Sequence, residues 1–155
     1  MDIKEEDLTK LFSLEIEEIK DVLINILNRS GIPYQLEFRV KSLEKIRQKQ
    51  LLFKERSKPC SLFDVPDILG FRISVDSEID VYRIFSLLND YFEPSRVIDF
   101  FNNPKSTGYK AFNCFYDNWA FNTEIQMMTK EMRDWTNATH DEHNKRKYGD
   151  ILTRK

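Results

Sequence analysis

Four groups of side chains in this 155-residue sequence have types and spacings that could do chemistry. The first is Arg39, Lys41 and Lys49. A strand that ends in Arg-x-Lys and feeds a basic helix can converge several cations on one polyphosphate. Arginine supplies a rigid fork for phosphate oxygens, and lysine a movable point charge. The second is Asp67-Ile68-Leu69-Gly70-Phe71-Arg72. A carboxylate at the head of a strand, with Arg72 five residues on, suits a magnesium ligand beside a phosphate clamp. A surface aspartate before a buried strand gives the same pattern with no ligand at all. The third is Lys105-Ser106-Thr107-Gly108-Tyr109-Lys110, where Gly108 allows close backbone approach and Tyr109 offers a flat ring to a base. An ordinary hairpin start with a core tyrosine competes with that reading. The fourth is Glu124-Ile125-Gln126, whose acid and amide share one face of a strand amid apolar neighbours. Buried without partners they would cost free energy, which points to a cleft, although an exposed sheet face would accommodate them equally well.

Other chemistries are excluded by what surrounds the candidates. There is no Gly-x-x-x-x-Gly-Lys-Ser/Thr loop, so a triphosphate would be held by side chains. His140 and His143 are spaced His-x-x-His, but no carboxylate or thiolate stands where it would finish a zinc site. His140-Asp141 resembles a metal-dependent phosphohydrolase signature, yet such sites need further histidines and the sequence has two. Cys60 and Cys114 lie far apart without metal-type spacing and read as a loop thiol and a core thiol, reduced, in a cytoplasmic protein. No apolar run approaches the roughly 18 residues of a membrane span. The acidic start, Met1 to Asp7, is not a secretory signal.

The formal net charge of −2 looks wrong for an anion-binding protein, but it is a sum over segments of opposite sign. Met1 to Lys20 holds seven acidic and three basic residues, and Asp64 to Glu93 holds seven carboxylates against two arginines. Arg39 to Lys58 holds eight basic residues against Glu44 and Glu55. Lys145, Arg146, Lys147, Arg154 and Lys155 gather near the end. A local field follows local charge, so a nearly neutral chain can still present a cationic site. Solvation of one helix face is the plainer reading of such a run.

The elements that must position these groups follow from periodicity. Three- and four-residue spacing of Leu8, Leu11, Phe12, Ile16, Ile19, Leu23, Ile26 and Leu27 predicts a helix over about 5–28, ended by Gly31 and Pro33. Alternation from Tyr34 to Val40 predicts a strand that delivers Arg39, and Ser42 caps a basic helix of about 14 residues. Ile68 to Val75 reads as a strand, Ser77 to Phe92 as a helix, and Pro94 to Phe101 as a further strand. After the turn-rich segment 102–108, Tyr109 to Tyr116 and Trp119 to Met127 read as a hairpin closed at Asp117-Asn118. Thr129 starts a final helix that runs to about Lys147. This order suits one α/β (α+β mixed) domain, a mixed sheet covered by helices, spanning 1–155 with its core over about 34–147.

Taken together and in this order, the motifs resemble one family. Arg39-Val40-Lys41-Ser42-Leu43-Glu44-Lys45-Ile46, Asp67-x-x-Gly70-x-Arg72-Ile73, Pro104-Lys105-x-x-Gly108-Tyr109 and Glu124-Ile125-Gln126, with Met132 and His140 beyond, look like the RelA/SpoT-type alarmone synthetase domain over about 39–147. The resemblance implies a nucleotidyltransferase-like mixed sheet of about five strands flanked by helices. It implies magnesium-dependent transfer of pyrophosphate from ATP to a ribose 3′-hydroxyl, with release of AMP. By the same resemblance Arg39, Lys41, Lys49 and Arg72 would bind ATP, and Asp67 would hold Mg²⁺. Glu124 would share that ion or take the hydroxyl proton, with Gln126 orienting it. Lys105, Gly108, Tyr109, Asn113 and His140 would form the acceptor side, with Tyr109 stacked on the base.

The sequence also departs from the family pattern. Gly-Tyr-x-Ser-x-His is here Gly108-Tyr109-Lys110-Ala111-Phe112-Asn113, and Glu-x-Gln-x-Arg-Thr is here Glu124-Ile125-Gln126-Met127-Met128-Thr129. The donor motifs are intact, while Asn113 and Met128 replace a histidine and an arginine on the acceptor side. The chain is also short beyond Lys147 beside typical single-domain synthetases, with no space for a hydrolase or regulatory domain. Elements for oligomerisation would then be missing, although a homo-oligomer stays open. The first reading is a small alarmone synthetase acting on GDP or GTP to make (p)ppGpp. The second is the family's toxic branch, which modifies the 3′ CCA end of tRNA and is restrained by an antitoxin protein. A non-catalytic nucleotide-binding regulator is the third.

Overall fold

The computed structural model describes residues 4–55 and 61–148, with side chains over 4–52 and 61–139. Cys60, Arg56, Lys58 and the terminal Arg154 and Lys155 lie outside the described residues. Helix α1 (Glu5–Ser30) buries Leu8, Phe12, Ile16, Ile19, Leu23, Ile26 and Leu27 along one stripe. Of the stripe expected from the sequence, Leu11 alone lies on the exposed side. Gly31, in the left-handed region at φ 72°, ends the helix where glycine carries no Cβ penalty.

Strand β1 (Tyr34–Val40) and helix α2 (Leu43–Glu55) follow as the alternation and the Ser42 cap predict. A short 3-10 turn (Leu62–Asp64) is an addition, closed by a reciprocal Ser61–Asp64 capping box. Then come β2 (Leu69–Val75), α3 (Glu78–Asn89), β3 (Arg96–Asp99), β4 (Phe112–Tyr116), β5 (Thr123–Thr129) and α4 (Lys130–Tyr148). The strands form one mixed sheet in the order β1-β2-β5-β4-β3. Only β2 and β5 pair in parallel. The expected five-stranded mixed sheet flanked by helices is what forms.

Period-two alternation divides that sheet into two chemically different faces. Phe71, Ile73 and Val75 of β2, Ile125 and Met127 of β5, and Phe112, Cys114 and Tyr116 of β4 are buried with α1 and α3 in the main core. Phe85 of α3 stacks on Phe112 with ring centroids 4.1 Å apart. The opposite face carries two polar rows set by register. Arg39, Gly70 and Glu124 are cross-strand neighbours in one, and Glu37, Arg72, Gln126 and Asn113 in the next. Four of the chemistry-bearing groups therefore share a face because of pairing between strands distant in the chain.

The expected tight hairpin is corrected. Strand β4 begins at Phe112 rather than Tyr109, β5 at Thr123 rather than Trp119, and residues 117–122 form a longer connection. Its aromatic residues imitate a strand but pack outward from the ladder. Trp119 lies 5.0 Å from both Tyr116 and Phe92, and Phe121 meets Phe12 edge-on at 4.6 Å. The Ala120 amide donates to a Glu15 carboxylate oxygen of α1. Long-range packing decides here against a local pattern.

Candidate active site

Asp67 is the centre of the polar face. The chain reaches it through a fixed approach: Asn122 donates to the carbonyls of Phe63 and Val65, and the Lys41 amide donates to the Ile68 carbonyl at 2.8 Å. That last bond brings the end of β1 against the residue following Asp67. The Asp67 carboxylate then lies 2.8 Å from Lys49 Nζ, 3.2 Å from Lys41 Nζ and 3.6 Å from an Arg39 guanidinium nitrogen. Arg39 of β1, Lys41 just after that strand and Lys49 of α2 converge as the sequence predicts, and they converge on this acid.

Burial by itself would raise the Asp67 pKa, but Lys41, Lys49 and Arg39 together hold it below the usual carboxylate range. Lys41 responds in the opposite sense. The residue is 8% exposed, and burial lowers its pKa to about 8 against the pull of Asp67. Burying like charges this closely is tolerable only while an anion sits among them.

Glu124 stands across the sheet from this cluster. Gly70 lies between Arg39 and Glu124 in register, and a Cβ added there would meet the Arg39 side chain at 3.5 Å. That is ordinary van der Waals contact, so the Arg39 side chain lies directly over Gly70. Glu124 is buried, and burial first, the Asp67 charge second, raise its pKa above the normal value. Gln126, two residues along the same face, acts on it in the opposite sense and lowers that pKa. The cations gather chiefly on Asp67, which leaves burial and the Asp67 charge to raise the affinity of Glu124 for a proton.

Two arginine nitrogens on this face, Nη1 of Arg39 and Nε of Arg72, are buried without a hydrogen-bond partner among the described residues. Buried donors are nearly always paired in native structures, so such a pair marks a place for acceptors. Asp67 and Glu124 also suit Mg²⁺, a hard cation that takes one or two carboxylates together with substrate phosphates. Their charges oppose one another, as the raised Glu124 pKa records. Among the described residues no three acidic, histidine or cysteine side chains gather to cage a metal. An ion here would be shared with the nucleotide.

The acceptor-side residues are arranged differently. Tyr109 is 8% exposed and packs with Ala111, Met128, Phe100 and Met132 in a second apolar cluster. Its hydroxyl donates to Asn113 Oδ1 at 2.9 Å, and burial pushes the phenol pKa up. Lys105 Nζ lies over both the Phe100 and Tyr109 rings, 4.9 and 5.2 Å from their centroids. Gly108, at φ 93°, makes the turn that sends Tyr109 inward. The core-tyrosine alternative therefore describes the ring as it stands, and a base could stack on it once Lys105 moves. The backbone of His140 is part of α4, but its side chain lies outside the described residues.

The sequence reading missed Glu37, Arg133 and Asn137, which surround Arg72. Arg72 Nη1 donates to Asn137 Oδ1, and Glu37 lies 3.8 Å from both Arg72 and Arg133. Alternation along β1 already places Glu37 on the Arg39 face, but nothing in the helical pattern of α4 singles out Asn137.

Known proteins resemble this chain in sequence and in fold. Residues 38–150 match the family described as the region found in RelA / SpoT proteins. A probable chloroplastic GTP diphosphokinase, RSH2 of Arabidopsis thaliana, is 32% identical over 110 residues, covering 68% of this chain and 15% of that protein. The chain spans about 15–18% of the length of such curated relatives. A GTP pyrophosphokinase family protein from Streptococcus pneumoniae superposes with a TM-score of 0.77 at 24% identity, covering 98% of this chain and 82% of that one. The small alarmone synthetase 1 of Bacillus subtilis, bound to its product pppGpp, gives 0.74 at 21% identity, covering 96% and 84%. With motifs, register and matched span in agreement, the chain belongs to the RelA/SpoT family.

Proposed function

We propose that the protein is a pyrophosphokinase that moves the β,γ-diphosphate of ATP to the 3′-hydroxyl of a guanine nucleotide, GDP or GTP, releasing AMP. The observation that carries this reading is the Asp67 cluster. Three cations are assembled on one acid, and two buried arginine nitrogens on the same face lack partners. A triphosphate would take over Lys41, Lys49 and Arg39 from Asp67 and engage Arg72 as well. Mg²⁺, held by Asp67, would neutralise phosphate charge there when bound.

In the transfer, a bond forms between the acceptor 3′-oxygen and the β-phosphorus while the bridge from that phosphorus to the α-phosphate breaks. The bridging electrons leave with AMP. Glu124, its proton affinity raised by burial, takes the hydroxyl proton, and Gln126 holds its carboxylate in place. Charge spreads over the moving phosphoryl oxygens, so the fixed guanidinium and ammonium groups supply much of the stabilisation.

A second acceptor is supported by one feature. Met128 is apolar and wholly buried, and Asn113, its Oδ1 taken by Tyr109, keeps only its amide nitrogen for a nucleotide's phosphates where the family pattern has a histidine. The 3′-terminal adenosine of tRNA would suit such a site, with basic segments of the chain on tRNA phosphates and an antitoxin protein restraining the activity. The exposed Leu11, Leu14 and Val22 on α1 support self-association under either reading. Incubation with Mg²⁺, ATP labelled at the γ-phosphate, and GDP, GTP or deacylated tRNA decides between them. Label on GDP or GTP is the expected result. Label on tRNA alone replaces the first acceptor by the second, and no transfer to any of the three leaves a nucleotide-binding regulator.

A further inference from the structure

Arg72 rises from the middle of β2, and two other elements converge on it. Its Nη1 donates to Asn137 Oδ1 on α4 at 2.9 Å and lies 3.8 Å from Glu37 Oε1 on β1. The same Glu37 oxygen lies 3.8 Å from Arg133 Nη1, which donates to Gln35 Oε1. Strands β1 and β2 and helix α4 are thus joined around one guanidinium. Meanwhile Arg72 Nε, on the same planar group, is buried with no hydrogen-bond partner among the described residues.

We propose that Asn137 is a positioning residue for the nucleotide site. By accepting from Nη1 it fixes the plane of the Arg72 guanidinium, so that Nε is held ready for a triphosphate oxygen. A guanidinium is rigid and flat, and anchoring one nitrogen determines where the others point. The neutral amide matters as much as the geometry. A carboxylate at 2.9 Å would neutralise Arg72 and compete with phosphate, whereas an amide oxygen orients the group and leaves its charge available. Glu37, at 3.8 Å and shared with Arg133, balances charge without closing on Arg72. The anchor comes from α4, so docking of that helix on the sheet is coupled to donor binding. Asn137 is itself exposed, and its truncation removes little packing.

The inference rests on the polar face being a triphosphate site, and the test separates the two claims. Calorimetric titration of the full chain with Mg²⁺ and a non-hydrolysable ATP analogue is compared for wild type, Asn137→Ala, Arg72→Ala and the double variant. Asn137→Ala should weaken binding roughly three- to tenfold, and Arg72→Ala by more. In the Arg72→Ala background the second substitution should change nothing beyond about twofold, because Asn137 acts through Arg72. The KM for ATP should rise while the acceptor KM stays put. Asn137→Ser, too short to reach Nη1, should repeat the loss if the alanine variant unfolds. Unchanged affinity in Asn137→Ala, or additive losses in the double variant, overturns the positioning role while leaving the site intact. Failure of the wild type to bind overturns both.

Discussion

The two halves of the polar face solve opposite problems. Around Asp67, four charged side chains are drawn together and partly desolvated, three of one sign around one of the other. Around Tyr109, a ring, an alanine and a methionine are buried, and the Tyr109 hydroxyl is spent on Asn113 Oδ1. The first half stores cationic potential that a polyphosphate can collect. The second is a packed wall with the Lys105 ammonium lying over two of its rings. Recognition by charge tolerates many polyphosphates, so under the proposed function selection of the acceptor would fall to the packed half. The donor chemistry and the acceptor choice can therefore vary independently within one sheet.

The largest expected effect tests where the two halves meet. Glu124→Gln keeps the shape but removes the base, and turnover should fall on the order of 10²–10⁴-fold with ATP-analogue binding still measurable by titration. Turnover within a few-fold of wild type would remove Glu124 from the proton transfer. Next is Asp67→Asn, which leaves Lys41, Lys49 and Arg39 without their counter-charge. Urea unfolding should register a loss of about 2–3 kcal/mol, below the full value for a broken buried pair because Lys49 and Arg39 keep contact with water. The same variant should bind metal-free tripolyphosphate roughly tenfold more tightly, since the acid no longer competes for the cations. Weaker binding would mean that Asp67 organises the cluster rather than holding it in reserve.

A smaller effect is expected in the packed half. Tyr109→Phe deletes the donor to Asn113 and leaves a buried carbonyl oxygen unpaired, costing about 1–2 kcal/mol in urea unfolding. The acceptor KM should stay within about twofold of wild type, because the stacking ring survives. A large rise would show that the hydroxyl itself meets the acceptor. The smallest effect lies on the apolar face. Burial pushes the Cys114 thiol up to about 12, so almost none is thiolate at pH 8. In a Cys60→Ser background, iodoacetamide should leave the native protein's mass unchanged and add one label in denaturant. Rapid native labelling would mean that the sheet opens on that side.

The sequence by itself determined the strands and helices, the two-faced character of β1, β2 and β5, and the residue types at the donor site. Those properties follow from backbone periodicity, which repeats every two or 3.6 residues and can be read locally. Alternation was enough to put Glu124 beside Gln126, and Gln35, Glu37 and Arg39 on one side. The tertiary structure decided everything that needed register between distant segments. Parallel pairing of β2 with β5 set Gly70 between Arg39 and Glu124. Packing of Trp119 and Phe121 turned an apparent hairpin into a six-residue connection, residues 117–122. The folding inward of Tyr109 depended on the neighbours that cover it, and the anchoring of Arg72 on a helix 65 residues later in the chain. No local pattern encodes such contacts, because they are fixed by which surfaces bury one another once the sheet has formed.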